Sequence, residues 1–221
     1  TALPLYHIFC LTVNLMIFTK IGAHNILVTN PRDIPGLVKE IAKYRVTVIT
    51  AVNTLFNALV NNADFANVDF SNLKISVGGG KKKKKAVADK WQKITKQPII
   101  EAYGLTETSP GVCVNPLSST SYSGNIGLPI SNTEIDVRDG EGKSVGIGEA
   151  GELFVRGPQV MRGYWNMPEE TKKVLGDDGF LSTGDVVVVN EQGFVKIVDR
   201  KKDMIVVSGF NVYPNEIEDV V

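Results

Sequence analysis

The sequence predicts an α/β protein in which a mostly parallel sheet with flanking helices is followed by a small β-barrel-like subdomain. Over the first half, apolar runs rich in β-branched residues alternate with segments of helical periodicity, a pattern typical of parallel strands joined by helices. Beyond about residue 112, short β-rich runs alternate with turns that contain Gly, Asp and Pro. We therefore predict three parts, at residues 1–112, 113–199 and 200–221.

Within the first part, each strand is predicted from an apolar run and each helix from its periodicity. The predicted elements, in order, are a buried helix at residues 8–20 ending at Gly22, a strand at Asn25–Val28, a helix started by Pro31 and Asp33, a strand at Arg45–Ala51, a helix capped by Asn53 or Thr54, a strand at Leu73–Val77, a helix carrying Val87, Trp91 and Ile94, and a strand at Pro98–Ala102. The connections between parallel strands should be helical, because such strands need a long crossover.

The second part is predicted to be almost entirely β-structure. Its predicted strands are Glu134–Val137, Glu152–Arg156, Val186–Val189 and Phe194–Val198. The last two should form a hairpin that turns at Asn190–Gly193, where Asn and Gly favour a tight turn. One helical segment is predicted near Glu169–Val174.

The composition is that of an ordinary globular protein, with 43% hydrophobic and 22% charged residues in a chain of 221. Lys and Arg number 24, as do Asp and Glu, so the overall charge does not indicate a nucleic-acid partner. The two cysteines, Cys10 and Cys113, exclude a disulfide framework and are typical of a reducing compartment. We expect a cytoplasmic location, with a peripheral position on the inner membrane left open.

The apolar stretch Ile8–Phe18 is shorter than the roughly 20 residues that a membrane-spanning helix needs. The chain opens at Thr1 inside an apolar pattern and ends abruptly at Val221. We therefore expect it to be an internal fragment of a longer protein.

Two polar segments follow predicted strands of the parallel sheet. Gly78–Gly80 comes after one strand and would let the backbone approach a ligand closely. Tyr103–Thr108 comes after the next and combines an aromatic ring, Gly104, two threonines and a carboxylate. Ligands bind at the carboxyl ends of the strands in open α/β sheets. Each segment alone is equally compatible with a plain turn.

Four further segments leave two interpretations open. Asp185 in Ser182–Asp185 could accept hydrogen bonds from a ribose diol, or the segment could be a turn. Arg200 in Asp199–Asp203 could hold ribose or phosphate oxygens, or lie in a solvated linker. His7 precedes the first helix and is either functional or a hydrogen-bonded core histidine. Lys81–Lys85 opposes a helix dipole, which favours a solvated basic face, or a sequence altered at this point, over a phosphate-binding patch.

Together these segments resemble the adenylate-forming (ANL) superfamily and, within it, the bacterial long-chain fatty acid–CoA ligases. The resemblance extends over essentially the whole chain. It rests on these motifs in order: Pro4–His7, Gly78–Gly80, Tyr103–Thr108, Gly163–Asn166, Ser182–Asp185, Asp199–Asp203 and Gly209–Pro214. Each motif alone is weak, whereas the ordered set is specific.

The resemblance implies a two-step reaction on a fatty acid, ATP and coenzyme A, with Mg²⁺ as cofactor. The fatty carboxylate would attack the α-phosphate of ATP to give acyl-AMP, and the thiol of coenzyme A would then displace AMP. It implies small-molecule partners rather than nucleic acid, and it leaves a homodimer and peripheral membrane association open.

The resemblance also implies a role for individual residues. Tyr103 would stack on adenine, with Gly78, Gly79 and Gly80 lining the other side of the base and Gly104 in the same nucleotide-binding loop. Thr106 would bind the α-phosphate, and Glu107 would ligate Mg²⁺. Asp185 and Arg200 would contact the ribose, and His7 would lie near the acyl and thiol region. Lys202 would be the hinge of a C-terminal domain, with Gly209 and Phe210 near the pantetheine tunnel.

The family's phosphate loop and late catalytic lysine do not occur in this sequence. We therefore expect the fragment itself to be inactive. Alternatives are an aryl-CoA ligase, a peptide-synthetase adenylation domain, or a nucleotide-binding module without catalysis.

Overall fold

The structure, a computed structural model, describes residues 1–79, 85–201, 203, 205–207, 210–212 and 214. Contacts divide the chain into two compact units, Thr1–Gly124 and Asn125–Val221. The three-part division after residues 112 and 199 stays a prediction.

The first unit is an α/β layer structure, which confirms the predicted fold class. A π-helical segment, Cys10–Ile17, continues into α1 (Phe18–Lys20), and the elements that follow are α2 (Ile34–Tyr44), β1 (Val48–Ala51), α3 (Asn53–Val60), a 3₁₀ turn at Ala63–Asn67, β2 (Ile75–Gly78), α4 (Lys85–Thr95), β3 (Ile99–Gly104), a 3₁₀ turn at Thr106–Thr108 and β4 (Gly111–Val114). The strands lie in the order β1-β2-β3-β4. β1, β2 and β3 are parallel, and β4 is antiparallel to β3.

The helices form where local sequence favours them. Asp33 caps α2, and its carboxylate accepts a hydrogen bond of 3.0 Å from the backbone N–H of Gly36. The apolar face of α2 is buried, as its periodicity predicted. The predicted cap of α3 is wrong, because Asn53 is already the first helical residue and the capping position is Val52.

A single aromatic and aliphatic core lies between the helices and the sheet of the first unit. Trp91 is fully buried, and its ring centroid lies 4.7 Å from that of Phe56 and 5.3 Å from that of Phe65. Its indole N–H donates a 3.1 Å hydrogen bond to the buried hydroxyl of Ser76 in β2. The core members are Leu37, Val38, Ile41, Ala51, Phe56, Leu59, Val60, Phe65, Leu73, Val87, Ala88, Trp91 and Ile99.

Two predictions near the start of the chain need correction. The segment at residues 8–20 is helical but not buried all round, since Met16 and Ile17 are 58% and 47% exposed. The segment Asn25–Val28 is not a strand. The Ile26 carbonyl accepts a hydrogen bond from the Thr1 ammonium, and the Val28 N–H donates one to the Thr1 carbonyl. Both bonds involve the same partner residue, so the successive residue pairs of a strand ladder do not form.

The second unit is β-rich, as predicted. It contains β5 (Leu128–Pro129), β6 (Glu134–Arg138), β7 (Ala150–Arg156), α5 (Pro168–Val174), β8 (Leu181–Val189), β9 (Val195–Arg200), β10 (Ile205–Val207) and β11 (Phe210–Val212). β6 to β9 form an antiparallel sheet in sequence order, and β10 pairs with β11. The Asn190–Gly193 hairpin is confirmed, with the Asn190 side chain accepting bonds from the N–H groups of Gln192 and Phe194. Trp165 is 89% exposed.

The turn interpretation of Ser182–Asp185 is wrong, because all four residues lie inside β8. The strand bulges here. Ser182 pairs with Phe154 of β7, and Val186 pairs with Glu152. The β8 residues between Ser182 and Val186 therefore lie opposite Leu153 alone, which is the mismatch that defines a bulge. Gly184 has a φ of +71° at this bulge.

The bond between Trp91 and Ser76 gives a test of the core. Ser76→Ala should reduce the free energy of unfolding by about 1–3 kcal/mol, because the buried indole N–H would lose its acceptor. In a Trp91→Phe background, which has no indole N–H, the same change should cost less. Urea denaturation followed by circular dichroism measures both costs.

The control is Ser118→Ala at an exposed position, which should change the unfolding free energy by less than about 0.5 kcal/mol. Equal costs of Ser76→Ala in the two backgrounds would show that the hydrogen bond contributes nothing.

Candidate functional site

The parallel register of β2 and β3 brings the glycine segment and the Tyr103 segment to one edge of the sheet. Gly78, the last residue of β2, is level with Glu101 in β3. Gly79 therefore leaves the sheet beside the part of β3 that carries Tyr103. Gly80 lies outside the described residues.

The first helical segment lies against this same edge. The ring of Phe9 packs on Gly79, where an added Cβ would lie 3.2 Å from Phe9 Cε1. The Thr12 hydroxyl donates a 3.1 Å hydrogen bond to the carbonyl of Ser109, just after the Tyr103–Thr108 segment. The structure therefore brings together three segments that the sequence marked separately.

His7 stands at the exposed start of this helical segment. The core-histidine interpretation is wrong, because the residue is exposed. Its Nδ1 accepts a 3.2 Å hydrogen bond from the Phe9 N–H, which holds the ring while leaving Nε2 outside that bond.

The loop after β3 is closed by backbone contacts around Gly104. A Cβ at Gly104 would lie 1.6 Å from the Pro110 carbonyl oxygen, so only glycine fits this position. The same oxygen accepts a 3.0 Å hydrogen bond from the Leu105 N–H and a 2.5 Å bond from the Thr108 hydroxyl. Closure of the loop therefore requires glycine at position 104, and the nucleotide contact predicted for Gly104 stays a prediction.

Thr108 is a residue that the sequence reasoning did not single out. It is fully buried, and its Oγ1 also accepts a 2.9 Å hydrogen bond from the Leu105 N–H. Thr side chains often bond to backbone groups a few residues away, which is the signal that the sequence offers here. Thr108 locks the loop that presents Thr106 and Glu107.

The closed loop presents its candidate groups differently. Tyr103 is buried, at 7% exposure, whereas Thr106 is exposed and Glu107 is half-buried. Among the described residues, no group of three or more His, Cys, Asp or Glu side chains could hold a metal ion. A single carboxylate such as Glu107 fits Mg²⁺ that is held mainly by phosphate oxygens and water.

In the second unit, the bulge of β8 places Asp185 opposite Arg200 of β9. Asp185 is 6% exposed, and its Oδ1 lies 3.5 Å from Arg200 Nε. The Arg200 side chain is 54% exposed. The two residues predicted to contact one sugar are therefore cross-strand neighbours.

Other predicted positions lie outside the described residues. These are Lys81–Lys84 of the basic run, the proposed hinge Lys202, and Gly209; for Phe210 the structure describes the backbone of β11 alone. Lys85 is the first residue of α4, and its ammonium pairs with Asp89 at 2.7 Å on the surface.

Cys10 and Cys113 are both buried. Burial raises the pKa of the Cys113 thiol to about 12, so this cysteine is not a nucleophile at neutral pH. Within the part of the chain that the structure describes, none of the helices has the length and apolarity needed to cross a membrane.

The chain matches a family model described as AMP-binding enzyme over residues 1–165. It is 59% identical over all 221 residues to a long-chain-fatty-acid–CoA ligase of Yersinia pestis and covers 39% of that protein. A long-chain-fatty-acid–CoA ligase of Bacillus subtilis is 36% identical over 219 residues, again with 39% of its length covered. The chain thus spans about two-fifths of these relatives.

Solved structures of CoA ligases and related proteins also match the chain over nearly its whole length. The anthranilate CoA ligase AuaEII in complex with anthranoyl-AMP matches 98% of the chain with a TM-score of 0.90 and 27% identity, over 42% of that structure. ATP-bound MatB from Rhodopseudomonas palustris matches 98% with a TM-score of 0.85 and 31% identity, also over 42% of its chain.

The contact at Gly104 generates a prediction about loop closure. Gly104→Ala should lower the free energy of unfolding by about 3 kcal/mol, the upper end for overpacked sites, because its Cβ would overlap a backbone carbonyl. Gly140→Ala is the control, since no atom lies within 4 Å of a Cβ there, and it should cost less than about 0.5 kcal/mol. Urea unfolding midpoints that match for the two variants would contradict the described closure.

Proposed function

Because the chain belongs to the AMP-binding enzyme family, we propose that it is the nucleotide-binding part of an ATP-dependent, AMP-forming long-chain fatty acid–CoA ligase. The observation that carries the proposal is the 59% identity to such a ligase over the whole chain. The substrates are a fatty acid, ATP and coenzyme A, which suit a cytoplasmic location.

The chemistry requires a carboxylate to be activated before a thiol can attack it. A carboxylate oxygen of the fatty acid attacks the α-phosphorus of ATP, and the bond to pyrophosphate breaks. The sulfur of coenzyme A then attacks the acyl carbon, its proton is lost, and AMP leaves with the oxygen that joined it to the acyl group. Both steps are helped by positioning and by stabilising charge on phosphate oxygens.

The first unit supplies the groups for the base and the α-phosphate. Tyr103 stacks on adenine at the sheet edge, next to Gly78 and Gly79. The exposed hydroxyl of Thr106 donates to an α-phosphate oxygen, and the half-buried carboxylate of Glu107 holds Mg²⁺, which supplies positive charge to the phosphates when bound. His7 borders the acyl and thiol region, which its exposure supports.

The second unit supplies the groups for the sugar. The buried carboxylate of Asp185 accepts hydrogen bonds from the ribose hydroxyls, and Arg200, 3.5 Å away, contacts the same sugar. Lys202 is proposed as the hinge of a C-terminal domain.

An aromatic acid is the second candidate substrate. It is favoured by the TM-score of 0.90 with the anthranilate CoA ligase and by 32% identity to a feruloyl-CoA synthase of an Amycolatopsis species. The substrate profile separates the two candidates.

The proposal predicts activity in a chimera. The 221 residues replace the aligned part of the Yersinia pestis ligase, and thioester formation is measured with ATP and coenzyme A. Palmitate should be converted at least tenfold faster than anthranilate or ferulate, because a methylene-rich chain gains about 0.8 kcal/mol per buried CH₂. A folded chimera without palmitoyl-CoA formation would refute the proposal, and a preference for the aromatic acids would favour the second candidate.

Glu107 provides a test of the metal role in the same chimera. Glu107→Gln should lower the rate of acyl-AMP formation by about 100-fold, and added Mg²⁺ should recover part of it. Glu191→Gln, at the exposed β8–β9 hairpin, is the matched control and should leave both the rate and its Mg²⁺ dependence unchanged. An equal Mg²⁺ dependence of wild type and Glu107→Gln would remove Glu107 from the metal site.

A further inference from the structure

Glu152 is a buried carboxylate in the middle of β7. It is 7% exposed and lies between the apolar strand neighbours Gly151 and Leu153. A buried carboxylate is costly unless cations and hydrogen-bond donors surround it. The groups that contact Glu152 therefore indicate which part of the fold it stabilises.

One oxygen of Glu152 holds the bulge of β8. Oε1 accepts hydrogen bonds from the hydroxyl of Ser182 and, at 3.1 Å, from the backbone N–H of Gly184. Gly184 is the bulge residue with positive φ, and it directly precedes Asp185. The ladder between β7 and β8 is interrupted here, so these side-chain bonds stand in for the missing backbone pairs.

The other oxygen of Glu152 holds the end of β9. Oε2 accepts a 2.7 Å hydrogen bond from the ammonium of Lys201, the residue that follows Arg200. The Lys201 N–H in turn donates a 2.9 Å bond to the carbonyl of Gly184. Glu152, Gly184 and Lys201 thus form a closed set of contacts beneath the Asp185–Arg200 pair.

Thr183 completes the orientation of Asp185. Its hydroxyl donates a 2.8 Å hydrogen bond to the Leu153 carbonyl and accepts a 3.1 Å bond from the Asp185 N–H. The backbone of Asp185 is therefore set by the bulge rather than by regular strand pairing.

The charge of Glu152 is maintained by the same partners. Burial raises the pKa of its carboxyl, but the hydrogen bonds from Lys201 and Ser182 and the charge of Lys201 outweigh burial, and the pKa lies below its ordinary value. Glu152 is therefore an anion at neutral pH, able to hold the Lys201 ammonium.

We propose that Glu152 is a positioning residue for ribose recognition: it fixes the β8 bulge and the end of β9 so that Asp185 and Arg200 face the same pair of sugar hydroxyls. This inference rests on the proposed nucleotide-binding function and assigns a role to a residue outside the predicted site. Glu152 itself contacts no ligand in this role.

The test compares AMP with 2′,3′-dideoxy-AMP, which keeps the base and phosphate but lacks both hydroxyls. Equilibrium dialysis with the 221-residue chain gives the dissociation constant of each. The unmodified chain should bind AMP at least about tenfold more tightly than the dideoxy analogue, since hydrogen bonds to a charged acceptor discriminate by that factor or more. Glu152→Gln and Lys201→Met should each reduce the ratio to about threefold or less, by weakening AMP alone.

Glu134→Gln is the matched control. It breaks the Glu134–Arg156 ion pair at the exposed edge of the same sheet and should leave the ratio unchanged. Loss of general stability would weaken both nucleotides equally, so the ratio separates positioning from folding. Cooperative thermal unfolding of each variant is recorded alongside.

The possible outcomes distinguish the role of Glu152 from the proposed nucleotide-binding function. A wild-type ratio in folded Glu152→Gln and Lys201→Met overturns the inference, and if Glu152→Gln does not fold, Lys201→Met decides. Equal binding of the two nucleotides by the unmodified chain also overturns it, because no hydroxyl would then be recognised. No binding of either nucleotide by the unmodified chain instead refutes the proposed function, a result distinct from the others.

Discussion

The parallel register of β1, β2 and β3 sets Ala51, Gly78 and Glu101 level across the sheet. The glycine segment and the Tyr103–Thr108 segment both depend on this alignment, because it makes the ends of β2 and β3 share one edge. The register is in turn held by the core, where Trp91 of α4 packs against α3 and bonds to β2 through Ser76. A slip of one residue would turn the buried side chains to the opposite face of the sheet.

Loop closure and ligand contact are divided between different residues of the same segment. Gly104 leaves room for the Pro110 carbonyl, which a Cβ would overlap, and the Thr108 hydroxyl donates a hydrogen bond to that carbonyl. In the same loop, Thr106 is exposed and Glu107 is half-buried. The second unit repeats the arrangement, since Thr183 and Glu152 hold the backbone that presents Asp185. In both units, neighbouring polar residues have different tasks, and the sequence motif alone does not separate them.

Local patterns predicted much of the fold. The start of α2 near Asp33, the periodicity of α2 and the Asn190–Gly193 hairpin depend on residues a few positions apart, and all were predicted correctly. The cap of α3 was displaced by one residue, and the larger errors arose where distant residues decide. The β8 bulge needs Glu152, 30 positions from Ser182, and the exposure of His7 depends on what packs against the first helix. The glycine and Tyr103 segments were expected at one edge of the sheet. The hydrogen bond between Thr12 and Ser109, which are 97 positions apart, could not be predicted from the local sequence.

The two tryptophans, one in each unit, differ in their exposure to water. Trp91 is sealed in the core of the first unit, whereas Trp165 is 89% exposed in the second. An indole shielded from water emits at shorter wavelength and is protected from a dissolved quencher such as iodide, while an exposed indole is not. The short-wavelength, quencher-protected part of the emission therefore follows the unfolding of the first unit, because Trp165 is already exposed to water before denaturation. Coincidence of this signal with the loss of β-structure measured by circular dichroism would mean that the chain unfolds as one cooperative structure.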